Sequence, residues 1–409
     1  MKGVRIVSTS LSAFWFAAGV SSTAEANLEN VFSTPPIIER QTPTTEIPFD
    51  PRLGKIFIEA SINQDTRTFI FDTGSPTILT KDFAQTLDLT LLGQNTGLDA
   101  NGNEVTMDIA VVDTVSLDGL TFRDVPVLVF DHNQLELGPC LFDGGVIGSE
   151  ILPGSQWQID AQDQTITISE PNIPRAISED AIIAPMHDFG YPHTPIVDYS
   201  VGTIKDKAIF DTGNVEDLVL FKRVSQNPTV QKRIVNDSTI KGRGSEGVSA
   251  GGRGPVRNLV RFTIEDVELG ANPIAPLRAT TRPTAPTLLG AGLLDHYVVT
   301  LDYPSSAFIL EARAAPDPQR GDSGYAISYE DGKATVTQIF KRSNAARAGL
   351  RLGDQIVSIN GRPMNDLDEA AICESVFWLG ETFDRTAAAQ IVIERSGKTK
   401  SIQIPALEK

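Results

Sequence analysis

The sequence predicts a mainly β chain built from two copies of one lobe, followed by a smaller α+β module. Three observations lead there. Phe71-Asp72-Thr73-Gly74-Ser75 returns 139 residues later as Phe210-Asp211-Thr212-Gly213-Asn214. Val146-Ile147-Gly148 and Trp157-Gln158-Ile159-Asp160 return 142 residues later, in the same order, as Leu288-Leu289-Gly290 and Val299-Thr300-Leu301-Asp302. Beyond residue 321 the pattern changes, and short strand-like runs alternate with small-residue and Gly-Asp segments. A period this long is the mark of a duplicated unit.

The elements follow in order. Lys2 and Arg5, an apolar run from Leu11 to Val20 and the small-x-small site Ala24-Glu25-Ala26 read as a secretory signal over residues 1–26. The chain is therefore expected to be exported, to the periplasm or the exterior, and the apolar run is shorter than the ~20 residues that span a bilayer. Residues 27–51, with Pro35, Pro36, Pro43 and Pro48, read as an extended leader. Lobe one is placed at residues 52–170. Lys55 to Ile62 alternates apolar and polar positions, as a half-buried strand does. Asn63-Gln64-Asp65 turns the chain, and Thr68 to Phe71 returns as a strand ending at Asp72. A short helix should follow, capped by Thr80, with Phe83, Ala84 and Leu87 on one face. Pro171-Asn172-Ile173-Pro174 separates the lobes. Lobe two, residues 176–314, repeats the scheme from Ile196 through a Gly202 turn to Phe210. Pro316-Asp317-Pro318 precedes the last module, residues 321–409.

Composition excludes several classes. The formal net charge is −17, so nucleic acid is not an expected partner, because little here would neutralise phosphates. Four scattered histidines, no HExxH and no CxxC indicate neither metal nor cofactor. Cys140 and Cys373 fall in different predicted domains, so the expectation is that they are not joined. No segment after the signal is apolar enough to span a membrane.

One Asp-Thr-Gly is an ordinary turn. Two copies, each after a strand ending in Phe and each followed by an apolar-apolar-Gly segment, are not. On these residues the chain, over roughly residues 54–314, resembles the retropepsin-like and pepsin-like aspartic peptidases in their doubled, single-chain form. The resemblance implies a bilobal acid-protease barrel fold with Asp72 and Asp211 as catalytic residues, a polypeptide substrate and a monomeric unit. Two carboxyls in contact cannot both ionise and hold one proton between them. The ionised partner then takes a proton from water while the protonated one serves the carbonyl oxygen. Thr73, Gly74, Ser75, Thr212, Gly213 and Asn214 would support the dyad. The threonines would lock the loops together, the glycines would allow close approach, and Ser75 would hydrogen-bond Asp72, with Asn214 in its place in lobe two. Hairpins at residues 97–108, around Asn101-Gly102, and at 242–254 are the candidate covers of the cleft.

The last module carries Ala345-x-x-Ala348-Gly349-Leu350, Gly353-Asp354 and Ile356-x-x-Ile359-Asn360-Gly361. It is similar to the PDZ domains of bacterial exported proteases. That implies capture of a C-terminal peptide along Gly324, Tyr325, Ala326 and Ile327, with residues 366–379 as the helix lining the groove. The alternative to a peptidase is a non-catalytic exported scaffold that keeps the fold and binds peptides.

Overall fold

The computed structural model describes residues 31–32, 34–313 and 323–407. The signal segment and Pro316-Asp317-Pro318 lie outside the described residues. Strands dominate, and the anticipated ones form where their alternation places them. Lys55–Ile62 pairs antiparallel with Asp65–Phe71 across a turn in which Asn63 and Gln64 take positive φ. Ile196–Val201 pairs with Ile204–Asp211 around Gly202. The helix Lys81–Thr86 begins where Thr80 accepts from the Phe83 amide, burying Phe83 and Ala84.

In each lobe the strand that carries the aspartate lies parallel to the apolar-apolar-Gly strand. Gly145–Ile147 runs beside Phe69 to Phe71, and Thr287–Gly290 beside Ala208 to Asp211. Each of these short strands also pairs antiparallel with the segment just beyond the aspartate, Ile78–Thr80 or Leu218–Phe221. The motif thus has a structural meaning: it threads between the two arms of the aspartate loop. Its glycines are required by closeness. A Cβ on Gly148 would lie 2.2 Å from the Pro76 carbonyl carbon, and one on Gly290 would lie 2.1 Å from the Glu216 oxygen.

The lobes share a six-stranded sheet. Gln156–Asp160 pairs with Tyr297–Asp302 at its centre. Thr165–Ser169 and then Thr44–Pro48 continue it on one side, and Ala307–Ala312 and then Ile182–His187 on the other. Thr44–Pro48 therefore occupies the place that Ile182–His187 has in the second copy. The leader expected at 27–51 is corrected accordingly: Ile37–Arg40 and Asp50–Arg52 are also paired, with Leu120–Phe130 and Lys55–Ile62. Apolar burial explains why the arrangement holds. One core runs through both lobes, with Trp157 stacked on Phe71 at 5.7 Å and Phe210 edge-on to Phe308 at 5.3 Å, all four fully buried.

The C-terminal module has its own core around Tyr329, Val336, Ile356 and Ile391, yet it is docked on both lobes. Its strand Lys333–Phe340 pairs with Ile240–Gly244 of lobe two. Leu53 and Leu137 of lobe one pack on its core, and Glu136 accepts from the Asp331 and Gly332 amides at 2.8 and 2.6 Å. Cys140 and Cys373 form a disulfide between lobe one and the module's helix Glu369–Phe377, against the sequence expectation. The expectation failed because it kept the two segments apart, whereas docking brings their Cα atoms to 5.0 Å.

Candidate active site

The two aspartate loops meet at the lobe interface and are bound reciprocally. The Thr73 amide donates to the Thr212 hydroxyl at 3.0 Å, and the Thr212 amide to the Thr73 hydroxyl at 3.1 Å. Each hydroxyl in turn donates across the interface, Thr73 to the Phe210 carbonyl and Thr212 to the Phe71 carbonyl, both at 2.7 Å. The two threonines, Phe71 and Phe210 are fully buried, so these four bonds satisfy six buried polar groups. A valine at either position would leave the opposite amide unsatisfied.

The carboxyls lie on this platform. Each glycine faces the other loop's aspartate: a Cβ on Gly74 would be 2.5 Å from the Asp211 carboxyl carbon, and one on Gly213 would be 2.2 Å from an Asp72 carboxyl oxygen. The Gly74 amide donates to Asp72 at 2.9 Å. The Asp72 and Asp211 carboxyls interact directly. Burial, and then the charge of Asp72, push the Asp211 carboxyl well above the carboxylate range. The pair therefore retains a proton where isolated carboxyls would have lost theirs.

Two expected supports behave differently. The Ser75 hydroxyl donates to the Pro76 carbonyl at 3.0 Å rather than to Asp72. The Asn214 side chain accepts from the Glu216 amide at 3.0 Å rather than donating to Asp211. Both stabilise the turn instead of the charge. Two cations that no motif announced take that role. Lys55 Nζ donates to the Gly213 carbonyl, and Lys55 and Arg282 both favour the ionised form of Asp211.

A roof closes over the loops. Gly93–Leu98 and Glu104–Leu117 form a hairpin whose tip is tied by Asp99, which accepts from the Asn101 and Asn103 amides. A second, smaller hairpin of lobe two, Val248–Ser249 with Gly252–Arg253, faces it. Asn101 Nδ2 reaches Ser249 Oγ at 2.9 Å, and Asp99 accepts from Ser249 and from the Gly251 amide. Arg282 donates to the Ala100 carbonyl at 3.3 Å, linking the tip to the neighbourhood of Asp211.

The module's predicted ligand residues lie apart from this centre. Gly324 has φ of +72° and packs so closely on Ser343 that a Cβ would lie 2.2 Å from that side chain. Tyr325 and Ile327 are buried in the module's core, which leaves the backbone of Tyr325–Glu330 as the feature open to a partner. Among the described residues that strand pairs only with Lys333–Phe340, so its other edge is free of strands.

Residues 58–151 match the family model described as aspartyl protease, and residues 335–373 match that of the PDZ domain. The first match contains Asp72, and the structural repeat puts Asp211 in the same setting. A stretch of 88 residues, 20% of the chain, is 34% identical to the carboxy-terminal processing protease CtpB of Bacillus subtilis (strain 168). This chain spans only 18% of that relative's length. Among solved structures, the aspartic proteinase from Irpex lacteus is similar over 67% of this chain and 98% of its own, at 11% identity and a TM-score of 0.43. Basic 7S globulin from soybean is similar over 65% and 94%, at 11% identity and a TM-score of 0.39. The chain thus contains a segment that matches the aspartyl protease family and, following it, one that matches the PDZ domain.

Proposed function

We propose that this protein is an aspartic endopeptidase in which Asp72 and Asp211 hydrolyse peptide bonds as one proton-sharing pair. The observation that carries the proposal is the reciprocal packing of each carboxyl on the other loop's glycine, with the pair's proton held by burial and mutual repulsion. A water between the carboxyls loses a proton to the ionised member and attacks the carbonyl carbon. The protonated member gives its proton to the carbonyl oxygen. Collapse of the tetrahedral adduct breaks the C–N bond as the amine takes a proton from the pair and one hydroxyl of the adduct returns its proton to the pair, which leaves the acid product and the singly protonated dyad. Because the two protons belong to the coupled pair, the roles are those of the dyad. The 97–108 hairpin would cover the substrate.

Both aspartates come from one chain, so the catalytic unit is a monomer in this reading. The disulfide supports an exported location, since such bonds persist in oxidising compartments. A second reading, a peptide-binding scaffold, is favoured by one observation, the roof tied shut across the cleft by Asp99 and Asn101. The test is digestion of a denatured protein mixture by the mature chain, with cut sites mapped by mass spectrometry. Asp72→Asn and Asp211→Asn should each abolish cutting while the chain stays folded. Cutting that survives either change would remove the dyad from the chemistry.

A further inference from the structure

The smaller hairpin of lobe two is held from both sides. Its tip holds the roof through Asp99, Asn101 and Asn103, the last donating to the Gly251 carbonyl at 3.3 Å. Burial works against the charge on Asp99, but donors from Ser249, Asn103 and Gly251 outweigh it and hold that carboxyl below its usual range. The hairpin's last residue, Arg253, points the other way. Its guanidinium donates to Ser328 Oγ at 3.0 Å and to the Tyr329 carbonyl at 2.7 Å, and it pairs with Glu330 at 3.1 Å.

The position of that carbonyl matters. Glu330 and Lys333 flank a two-residue turn, Asp331-Gly332, with both φ positive. In such a hairpin the flanking pair exchanges hydrogen bonds, so the next pair, Tyr329 with Ala334, turns its backbone groups outward. Arg253 thus sits on the outer edge of Tyr325–Glu330, the edge free of strands among the described residues. Its three contacts use the planar fork in a way a lysine could not. The base of the same segment, Ile240–Gly244, is paired to the next strand of the module, and Gln338 Nε2 donates to the Ser245 carbonyl at 2.7 Å.

We propose that Arg253 is a positioning residue through which the PDZ domain holds the 247–253 hairpin against the roof and so keeps the cleft closed. An extended chain added to the outer edge of Tyr325–Glu330 would need the Tyr329 carbonyl, so strand addition there and the closed roof exclude each other. The consequence for cleavage rests on the peptidase reading, and the consequence for motion does not.

The experiment uses the full mature chain. Hydrogen–deuterium exchange is followed in residues 99–103 and 247–253 for wild type, Arg253→Ala, Arg253→Lys and Glu330→Ala. Arg253→Ala should speed exchange in both segments by about ten-fold, as a local opening made easier. Arg253→Lys should restore only part of the protection. Glu330→Ala, at a half-exposed position on the module's side, should act in the same direction more weakly, which keeps the test valid if Arg253→Ala misfolds. Faster exchange in 247–253 with 99–103 unchanged would overturn the proposal, as would full protection in both segments of the alanine variants. In the activity arm, relief of a closed state that excludes substrate should lower KM about five-fold with kcat unchanged. A fall in kcat with KM unchanged would overturn the gating role. Absence of turnover in every variant, wild type included, would count against the peptidase reading and leave the exchange result standing on its own.

Discussion

The two aspartate loops share a backbone and differ in what supports it. In lobe one, Glu150, 1% exposed, reaches under the loop and accepts from the Thr77 amide with both oxygens at 3.0 Å. Among the described residues no salt bridge reaches it, and burial pushes its carboxyl up to about 7 against the Thr77 hydrogen bonds and the nearby His193, which act to lower it. In lobe two the buried carboxylate comes from Asp217, also 1% exposed, and the Arg278 backbone amide and guanidinium both donate to it at 2.9 Å. Duplication preserved the hydrogen-bonding need and not the residue that meets it. One loop rests on a carboxyl that gives up its proton only near neutral pH, the other on an ion pair. The difference teaches that sensitivity to pH can be lodged in one half of a symmetric site.

The largest effect would break the comparison at its centre. Asp72→Asn and Asp211→Asn should each lower kcat by at least about 10³-fold, and the double variant should lose little more, because a pair acting as a unit is not additive. Unequal losses in single-turnover assays would show that the lobes are not equivalent partners. Next, Asp217→Asn should cost about 3 kcal/mol in denaturant unfolding, since it leaves the partly buried Arg278 to the longer pairing with Asp295. A cost under about 0.5 kcal/mol would mean that Asp295, 3.5 Å from Arg278, takes over the pairing.

Glu150 sharpens the contrast. Its folded pKa is raised, so its contribution is greatest below the ordinary carboxylate range and is lost as pH climbs from about 4.5 to about 7. The stability difference between wild type and Glu150→Gln should therefore shift against wild type by roughly 3 kcal/mol across that window. Thermal unfolding of both proteins at pH 4.5 and pH 8 measures it, and a constant difference would refute the assignment. The smallest effect is expected at Lys55. Removing its charge in Lys55→Met lets the Asp211 proton bind more tightly, so both limbs of the pH–activity profile should move to higher pH, by about one unit. An unmoved profile would show that Arg282 alone sets the field.

What was legible in the sequence was what is local or repeated. Asp-Thr-Gly and the apolar-apolar-Gly segment could be read because close approach of backbones restricts those positions to glycine in both copies. The strand Lys55–Ile62 could be read from its alternation, and the helix after Thr80 from its cap. Thr44–Pro48 reads as leader in the sequence because its likeness to Ile182–His187 is one of place and not of residues. Glu150, Lys55 and Arg253 act through partners 73, 158 and 76 residues away and belong to no motif. The resemblance points the Ser75 and Asn214 side chains at the charge, whereas the turn claims them first.

The Cys140–Cys373 bond has a topological consequence. It turns 233 residues of sequence separation into a covalent ring that contains the whole of lobe two and the connection to the PDZ domain. A single backbone cut anywhere within that ring, including residues 314–322, opens the ring without releasing a fragment. A peptidase working among other peptidases, or cutting itself, would thus keep its PDZ domain attached to lobe one after the first nick. Only reduction of the bond would free it, and the nick would become visible on a gel only once a thiol was added.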